Sequence, residues 1–313
     1  RRGQPVQRGI FAEVFAQTSV RTQELTVHLA LRNDGATPQT VTVMNRVINT
    51  NTLVFALPVQ QVTLEAASVT NFDLTVPWTD AHFWTHLDPF LYTLETTASS
   101  GAGLDRTQTR FGFREMWAAG DRLYLNGIPI NLLAGATWPP SGTVTNTAIR
   151  KVFQDAKAGN TIALRLHTQP WDERWYDIAD EEGILLIEEC AVWCDPAAYR
   201  LSDPRFWINY AQHLTAAVKR DWNHPSIVMW SLENEILHCG GARSSTHAEA
   251  DLAAMGRVVK SVDPTRPITY EADLDPGGEA HVLGLHYPYE FPDQQVWPNA
   301  AYWMDQFIAR DWI

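Results

Sequence analysis

A chain of 313 residues with 36 acidic against 24 basic side chains carries a formal charge of −12 and an isoelectric point near 5.2. That balance excludes the clustered Lys and Arg on which nucleic-acid binding depends, and it points to a neutral or weakly charged partner. No apolar run approaches the ~18 residues of a membrane-spanning helix, and Cys190, Cys194 and Cys239 are too few for a disulfide framework.

The chain starts Arg1-Arg2-Gly3, without Met and without a charged-then-apolar leader, so processing or truncation is expected to have removed the natural start. From there to about Phe111, apolar and polar residues alternate, as in Leu25-Thr26-Val27-His28-Leu29, Val41-Thr42-Val43 and Val69-Thr70-Asn71-Phe72-Asp73-Leu74. Turn formers such as Asn33-Asp34-Gly35 and Thr37-Pro38 divide these runs at short intervals. The pattern predicts an immunoglobulin-like β-sandwich over residues 1–111. A last aromatic strand, Phe90-Leu91-Tyr92-Thr93-Leu94, leads to Phe111-Gly112-Phe113-Arg114-Glu115, the predicted junction.

After a hairpin signal at Leu125-Asn126-Gly127-Ile128 the periodicity changes. Apolar runs predict strands over residues 131–134, 161–166, 184–189, 227–232, 267–270 and 281–285. Amphipathic stretches predict helices over 146–157, 172–181, 203–221 and 247–261, with a last one near 299–310. Residues 112–313 therefore read as a parallel β/α series. Polar side chains gather where the strands end: Arg165 and His167, Glu188 and Glu189, Asn234 and Glu235, Glu271, His286 and Tyr287. In a (β/α)8 TIM barrel those ends converge on one mouth, which favours a barrel over a doubly wound sheet. Neither G-x-G-x-x-G nor a P-loop occurs, so no nucleotide cofactor is expected. Six strands are two short of closure, and the barrel is expected to continue past Ile313.

The run Ile227 to Leu232 ends in Glu233-Asn234-Glu235, two acids flanking an amide. A carboxylic acid there can protonate a leaving group while the adjacent amide binds a substrate hydroxyl, which makes Glu235 the first candidate for a catalytic acid. The competing reading is a strand end capped by solvated acids. His238 and the three cysteines form no convincing zinc pattern, because Cys-x3-Cys is a poor spacing and small buried thiols are the commoner use.

Taken in order, these segments resemble glycoside hydrolase family 2, the β-galactosidases, β-glucuronidases and β-mannosidases. The resemblance rests on Gly9-Ile10-Phe11, Leu91-Tyr92-Thr93-Leu94, Phe111-Gly112-Phe113-Arg114-Glu115, Leu125-Asn126-Gly127, Arg165-Leu166-His167, Trp175 to Ile184 and Trp230-Ser231-Leu232-Glu233-Asn234-Glu235. It implies a multidomain chain, an immunoglobulin-like sandwich followed by an incomplete TIM barrel, and a retaining double displacement on a β-glycoside. Glu235 matches the acid/base position, and Arg165, His167 and Tyr287 match family positions at the mouth; Asn234, Glu189, His286 and Trp193, at or just after strand ends, are further substrate-binding candidates, with Glu189 alternatively orienting its neighbours or serving as a salt-bridged rim acid. The resemblance puts Tyr287 beside the nucleophile, which is itself expected beyond Ile313; Glu271 and Glu290 match non-nucleophilic stretches.

Two departures matter. Trp193 and Asp195 stand where many β-galactosidases place a glutamate and a histidine that hold magnesium, so no metal is predicted. The sugar-binding domain that precedes the sandwich in the family is expected to be missing. Trp138, Trp171 and Trp193 lie on loops after strands, where an indole can stack on a sugar ring. A site without its nucleophile would instead be a non-catalytic carbohydrate-binding remnant, and an open groove would suit a related hydrolase acting inside polysaccharides. The sugar, the compartment and self-association into a homo-oligomer stay open.

Overall fold

The structure, a computed structural model, describes residues 10–101, 103–140, 142, 144–193, 200–237 and 245–284. Eight strands come first: β1 (Phe11–Ser19), β2 (Glu24–Asn33), β3 (Gln39–Asn49), β4 (Thr52–Ala56), β5 (Gln60–Leu64), β6 (Ser68–Pro77), β7 (Tyr92–Ser100) and β8 (Gly103–Phe111). They form two antiparallel sheets, one in the order β1-β2-β6 and the other β4-β3-β7-β8 with β5 also paired to β3. Alternate residues of β2 and β3, Leu25, Val27, Leu29 and Leu31 with Val41, Val43 and Val47, meet between the sheets and are buried. This is the period-two pattern of a sheet wetted on one face only.

A short meander follows, β9 (Met116–Ala119), β10 (Arg122–Leu125) and β11 (Ile128–Ile130). Its turn residues Asn126 and Gly127 have φ of 53° and 86°, the positive values a tight hairpin requires. Met116 and Leu125 pack with Ala163, Leu185 and Val228, residues at the beginnings of barrel strands, so the meander plugs the amino-terminal end of the barrel. The opposite end is left for chemistry.

The barrel portion comprises β12 (Ala134–Thr137), α1 (Asn146–Ala158), β13 (Ala163–Leu166), α2 (Glu173–Glu182), β14 (Leu185–Glu189), α3 (Pro204–Asp221), β15 (Ile227–Asn234), α4 (Ala248–Val262), β16 (Ile268–Glu271) and β17 (Val282–Leu283). The six strands run parallel in sequence order, the sheet of an incomplete TIM barrel. Helix starts are set by side-chain caps: Thr145, Asp172 and Asp203 accept from the backbone N–H groups of Ala148, Arg174 and Arg205. Capping also explains why the predicted helices at Asp172 and Asp203 begin one residue later than the sequence pattern does.

The first barrel strand differs more. It spans Ala134–Thr137 and pairs Ala134 with Ala163, whereas the apolar run predicts residues 131–134. Ile130 and Leu132 instead pack into the plug below, so the hydrophobic signal came from the plug and the strand lies just after it. The predicted helix near 299–310 lies outside the described residues.

Sandwich and barrel are tied by buried and half-buried polar contacts. Arg114, buried at the junction, donates from Nε to the Pro225 carbonyl at 3.0 Å and from Nη2 to the Ile227 carbonyl. Asn223 donates to Val14 O at 2.9 Å and accepts from Ala16 N at 3.0 Å. Asp177, Asp180 and His224 converge closely enough to hold a cation, and the Arg110 guanidinium, 2.6 Å from Asp177, supplies that charge. The loop leading into β15 is thereby held from the sandwich side.

Candidate active site

All of β15 is buried, as a central barrel strand must be. Its pairing with β16 is regular at Ser231 and Thr269 but resumes at Asn234 and Glu271, so three steps on β15 match two on β16. That extra residue is a β-bulge, which turns the end of a strand and re-aims its side chains. Ser231 and Asn234 consequently both face the mouth: Ser231 Oγ donates to Glu189 Oε2 at 2.9 Å, and Asn234 Oδ1 accepts from Arg165 Nη1 at 3.3 Å.

Arg165, from the end of β13, is the hub. Its Nη1 lies 3.2 Å from Glu189 Oε2 and 3.2 Å from Glu271 Oε2, so one guanidinium compensates acids from β14 and β16. His167 Nδ1 sits 3.0 Å from Glu189 Oε1 and 3.2 Å from Arg165 Nη2. Burial pushes the Glu189 carboxyl up, opposed by the hydrogen bond from His167 and the charge of Arg165. The Arg165 side chain keeps only 12% of its exposure, which makes it a floor more than a wall.

With Oδ1 committed to Arg165, the Asn234 amide nitrogen faces its neighbour and donates to Glu235 Oε2 at 3.0 Å. The two partners fix which way this amide points. Glu235 itself has φ of 61°, a left-handed conformation that is uncommon for a side chain with a Cβ. Backbone held there against its preference is a feature found at functional sites.

Glu235 and Asn234 line a cleft of about 530 Å³ with Trp138, Pro139, His167, Thr168, Gln169 and Trp193. Trp138 is 64% exposed and stands edge-on to His167 with ring centroids 5.2 Å apart, while Trp193 is 46% exposed and bridges to Asn234. Both indoles therefore offer free faces to the cleft. Trp171 does not: it is buried, packs at 4.7 Å against Trp175 and donates to the His167 carbonyl, so the expectation of a stacking platform is corrected to a core residue.

Of the residues singled out in the sequence, Arg165, His167, Glu189, Trp193, Asn234 and Glu235 come together at this mouth. His286, Tyr287, Glu290, Asp195, Cys194 and Cys239 lie outside the described residues. Cys190 is buried, and burial pushes its thiol well up, so it behaves as a small core residue. Sequence reasoning gave no role to Glu233 or Asp273, both buried against the turn that carries Glu235. The acids flanking Asn234 were visible, but nothing in their spacing announces a bulge.

Comparison with known proteins agrees with this architecture. The family model "Glycosyl hydrolases family 2, TIM barrel domain" matches residues 139–302, and "Glycosyl hydrolases family 2" matches residues 10–114. A β-galactosidase of Vibrio cholerae is 31% identical over 241 residues, covering 74% of this chain and 22% of that protein. A β-galactosidase of Enterobacter cloacae is likewise 31% identical over 250 residues, 77% of this chain and 23% of that one. The chain thus spans under a quarter of the length of these relatives. In fold, it is similar to a family 2 glycosyl hydrolase of Bacteroides cellulosilyticus, with a TM-score of 0.74 at 24% identity over 86% of this chain and 36% of that one. With two family models matching in order and relatives above 30% identity along most of its length, this chain belongs to glycosyl hydrolase family 2.

Proposed function

We propose that this chain carries the acid/base half of a retaining β-glycosidase site. Glu235 protonates the glycosidic oxygen of a terminal β-linked sugar and afterwards activates the water that releases it. The observation that supports this most is the presentation of Glu235 on an open cleft at the carboxyl end of β15, oriented by the Asn234 amide at 3.0 Å. That is the end of a barrel strand where catalytic side chains gather.

Asn234 is also the donor for a sugar hydroxyl beside the reacting carbon. Arg165, His167 and Glu189 shape the pocket floor, and Trp193 and Trp138 offer flat apolar faces to a ring. From the resemblance, His286 and Tyr287 belong to the same mouth. The resemblance likewise puts the attacking carboxylate outside the described residues; Glu189 and Glu271 are both drawn onto Arg165 at 3.2 Å. In this reading the sandwich, residues 1–111, supports the catalytic barrel of residues 112–313. The names of the relatives make β-galactosides the first substrates to assay.

The test is turnover of a panel of aryl β-glycosides by the complete gene product that carries this chain, with Glu235→Gln alongside. The variant is expected to lose about 10²–10⁴-fold on substrates with poor leaving groups, the usual contribution of a positioned general acid. Wild-type turnover of those substrates by Glu235→Gln would refute the assignment. A complete product that binds sugars and turns none over would instead be a carbohydrate-binding protein.

A further inference from the structure

Three successive backbone N–H groups follow the bulge in β15, and each is captured by an acceptor from a different place. Glu235 N donates to the Glu271 carbonyl at 2.8 Å, Ile236 N to Glu233 Oε2 at 2.9 Å, and Leu237 N to Asp273 Oδ2 at 2.6 Å. Two of the three acceptors are buried carboxyl groups. Glu233 is fully buried, and its other oxygen, Oε1, has no hydrogen-bond partner of normal geometry among the described residues. Asp273 lies between Ala272 and Leu274, whose φ values of 73° and 60° are left-handed like that of Glu235. Three strained residues therefore surround one pair of acids, and strain of this kind persists only where the surroundings over-determine it.

We infer that Glu233 and Asp273 are positioning residues for Glu235: together they clamp the 235–237 turn that presents the acid/base carboxyl to the cleft. The inference rests on the acid/base reading of Glu235 and adds a device to it. Neither clamp residue lines the cleft or is placed to touch substrate.

The chemistry of the pair sets how it must be substituted. Burial, the nearby Asp273 charge and Glu189 all push the Glu233 carboxyl well above the ordinary range, while the Ile236 N–H pulls the other way. Glu233 Oε2 accepts from Ile236 N, and a carboxyl raised in this way can hold a proton that it shares with the neighbouring Asp273. Glutamine reproduces that pattern, accepting with its oxygen and donating with its amide nitrogen. Alanine removes both contacts.

The experiment compares Glu233→Ala, Glu233→Gln and Glu235→Gln in the complete gene product, measuring kcat/KM for aryl β-glycosides whose leaving groups range from dinitrophenolate to phenolate. Dinitrophenolate departs without protonation, whereas phenolate requires the acid. Glu233→Ala is expected to lose about 10²-fold on the phenyl glycoside, the scale of an ångström-sized misplacement, and little on the dinitrophenyl one. Glu233→Gln is expected to retain wild-type dependence on the leaving group. Should Glu233→Ala fail to fold, Asp273→Ala frees the Leu237 N–H from the same turn and is expected to show the same selective loss.

An equal loss on all leaving groups, no loss at all, or a Glu233→Gln variant as impaired as Glu233→Ala would overturn the inference. The parallel variant separates it from the reading beneath it. If Glu235→Gln shows no leaving-group dependence, the acid/base assignment has failed; if Glu235→Gln shows it and Glu233→Ala does not, only the clamp has failed.

Discussion

Replacing Arg165 by Met removes the single guanidinium that Glu189 and Glu271 share at 3.2 Å each and keeps much of the side-chain volume. Glu189 has no exposure of its own, and afterwards, among the described residues, His167 and Ser231 remain to compensate it. Breaking a buried pair from one side costs about 3–5 kcal/mol, because a desolvated charge is left behind. The cost must depend on pH. Burial already raises the Glu189 carboxyl, and Arg165 is one of the influences that lowers it, so the substitution raises it further. An acid raised in the folded state stabilises fully below the unfolded value of about 4.3 and loses that contribution as pH rises toward the folded value. The stability difference between wild type and Arg165→Met should therefore be largest near pH 8 and shrink toward pH 5. Denaturant midpoints of the complete gene product at both pH values measure it, and Arg165→Met/Glu189→Gln should recover most of the loss. A difference that is the same at both pH values, or that Glu189→Gln does not relieve, would refute the assignment of Arg165 as the compensating charge.

Two further outcomes follow from the barrel. Glu188 is fully buried, and burial with the adjacent Asp221 pushes its carboxyl well up. Above the ordinary glutamate value, wild type should lose about 1.4 kcal/mol per pH unit to this group, which Glu188→Gln escapes. The variant's melting temperature relative to wild type is expected to climb between pH 5 and pH 8, and a constant offset would show that Glu188 is ionised throughout. Gly183, which ends α2 at φ of 68°, would place an added Cβ 2.6 Å from the His86 carbonyl oxygen. Gly183→Ala should cost at least about 2 kcal/mol through left-handed strain and backbone displacement, read as a lowered melting temperature.

Much of the architecture could be read from side-chain order. Alternation in Leu25 to Leu31 and Val41 to Val47 reports which face of each strand meets the other sheet, since the period of a strand is two wherever it sits. Asn126-Gly127 and the caps at Thr145, Asp172 and Asp203 are local for the same reason: the atoms that satisfy the backbone lie within three residues. The placement of Glu235 at a strand end was legible because an apolar run that stops in acids marks where a buried strand emerges. The first barrel strand was misplaced because Leu132 is apolar in order to pack into the plug, and composition does not distinguish a plug from a strand. Trp171 was misjudged likewise, because only its neighbours bury it.

What this sequence determined by itself is a sandwich followed by parallel β/α units, the polar strand ends of a common mouth, and the segment Trp230 to Glu235 that marks the family. What only the tertiary structure decided is how those ends are used. Arg165 is drawn onto Glu189 and Glu271, Trp138 and Trp193 remain open while Trp171 is covered, and the bulge in β15 turns Asn234 toward the guanidinium. The shared ion pair depends on contacts between residues 24 and 106 positions apart, Arg165 with Glu189 and with Glu271. No local period encodes them; they exist once neighbouring strands share one register and one desolvated space.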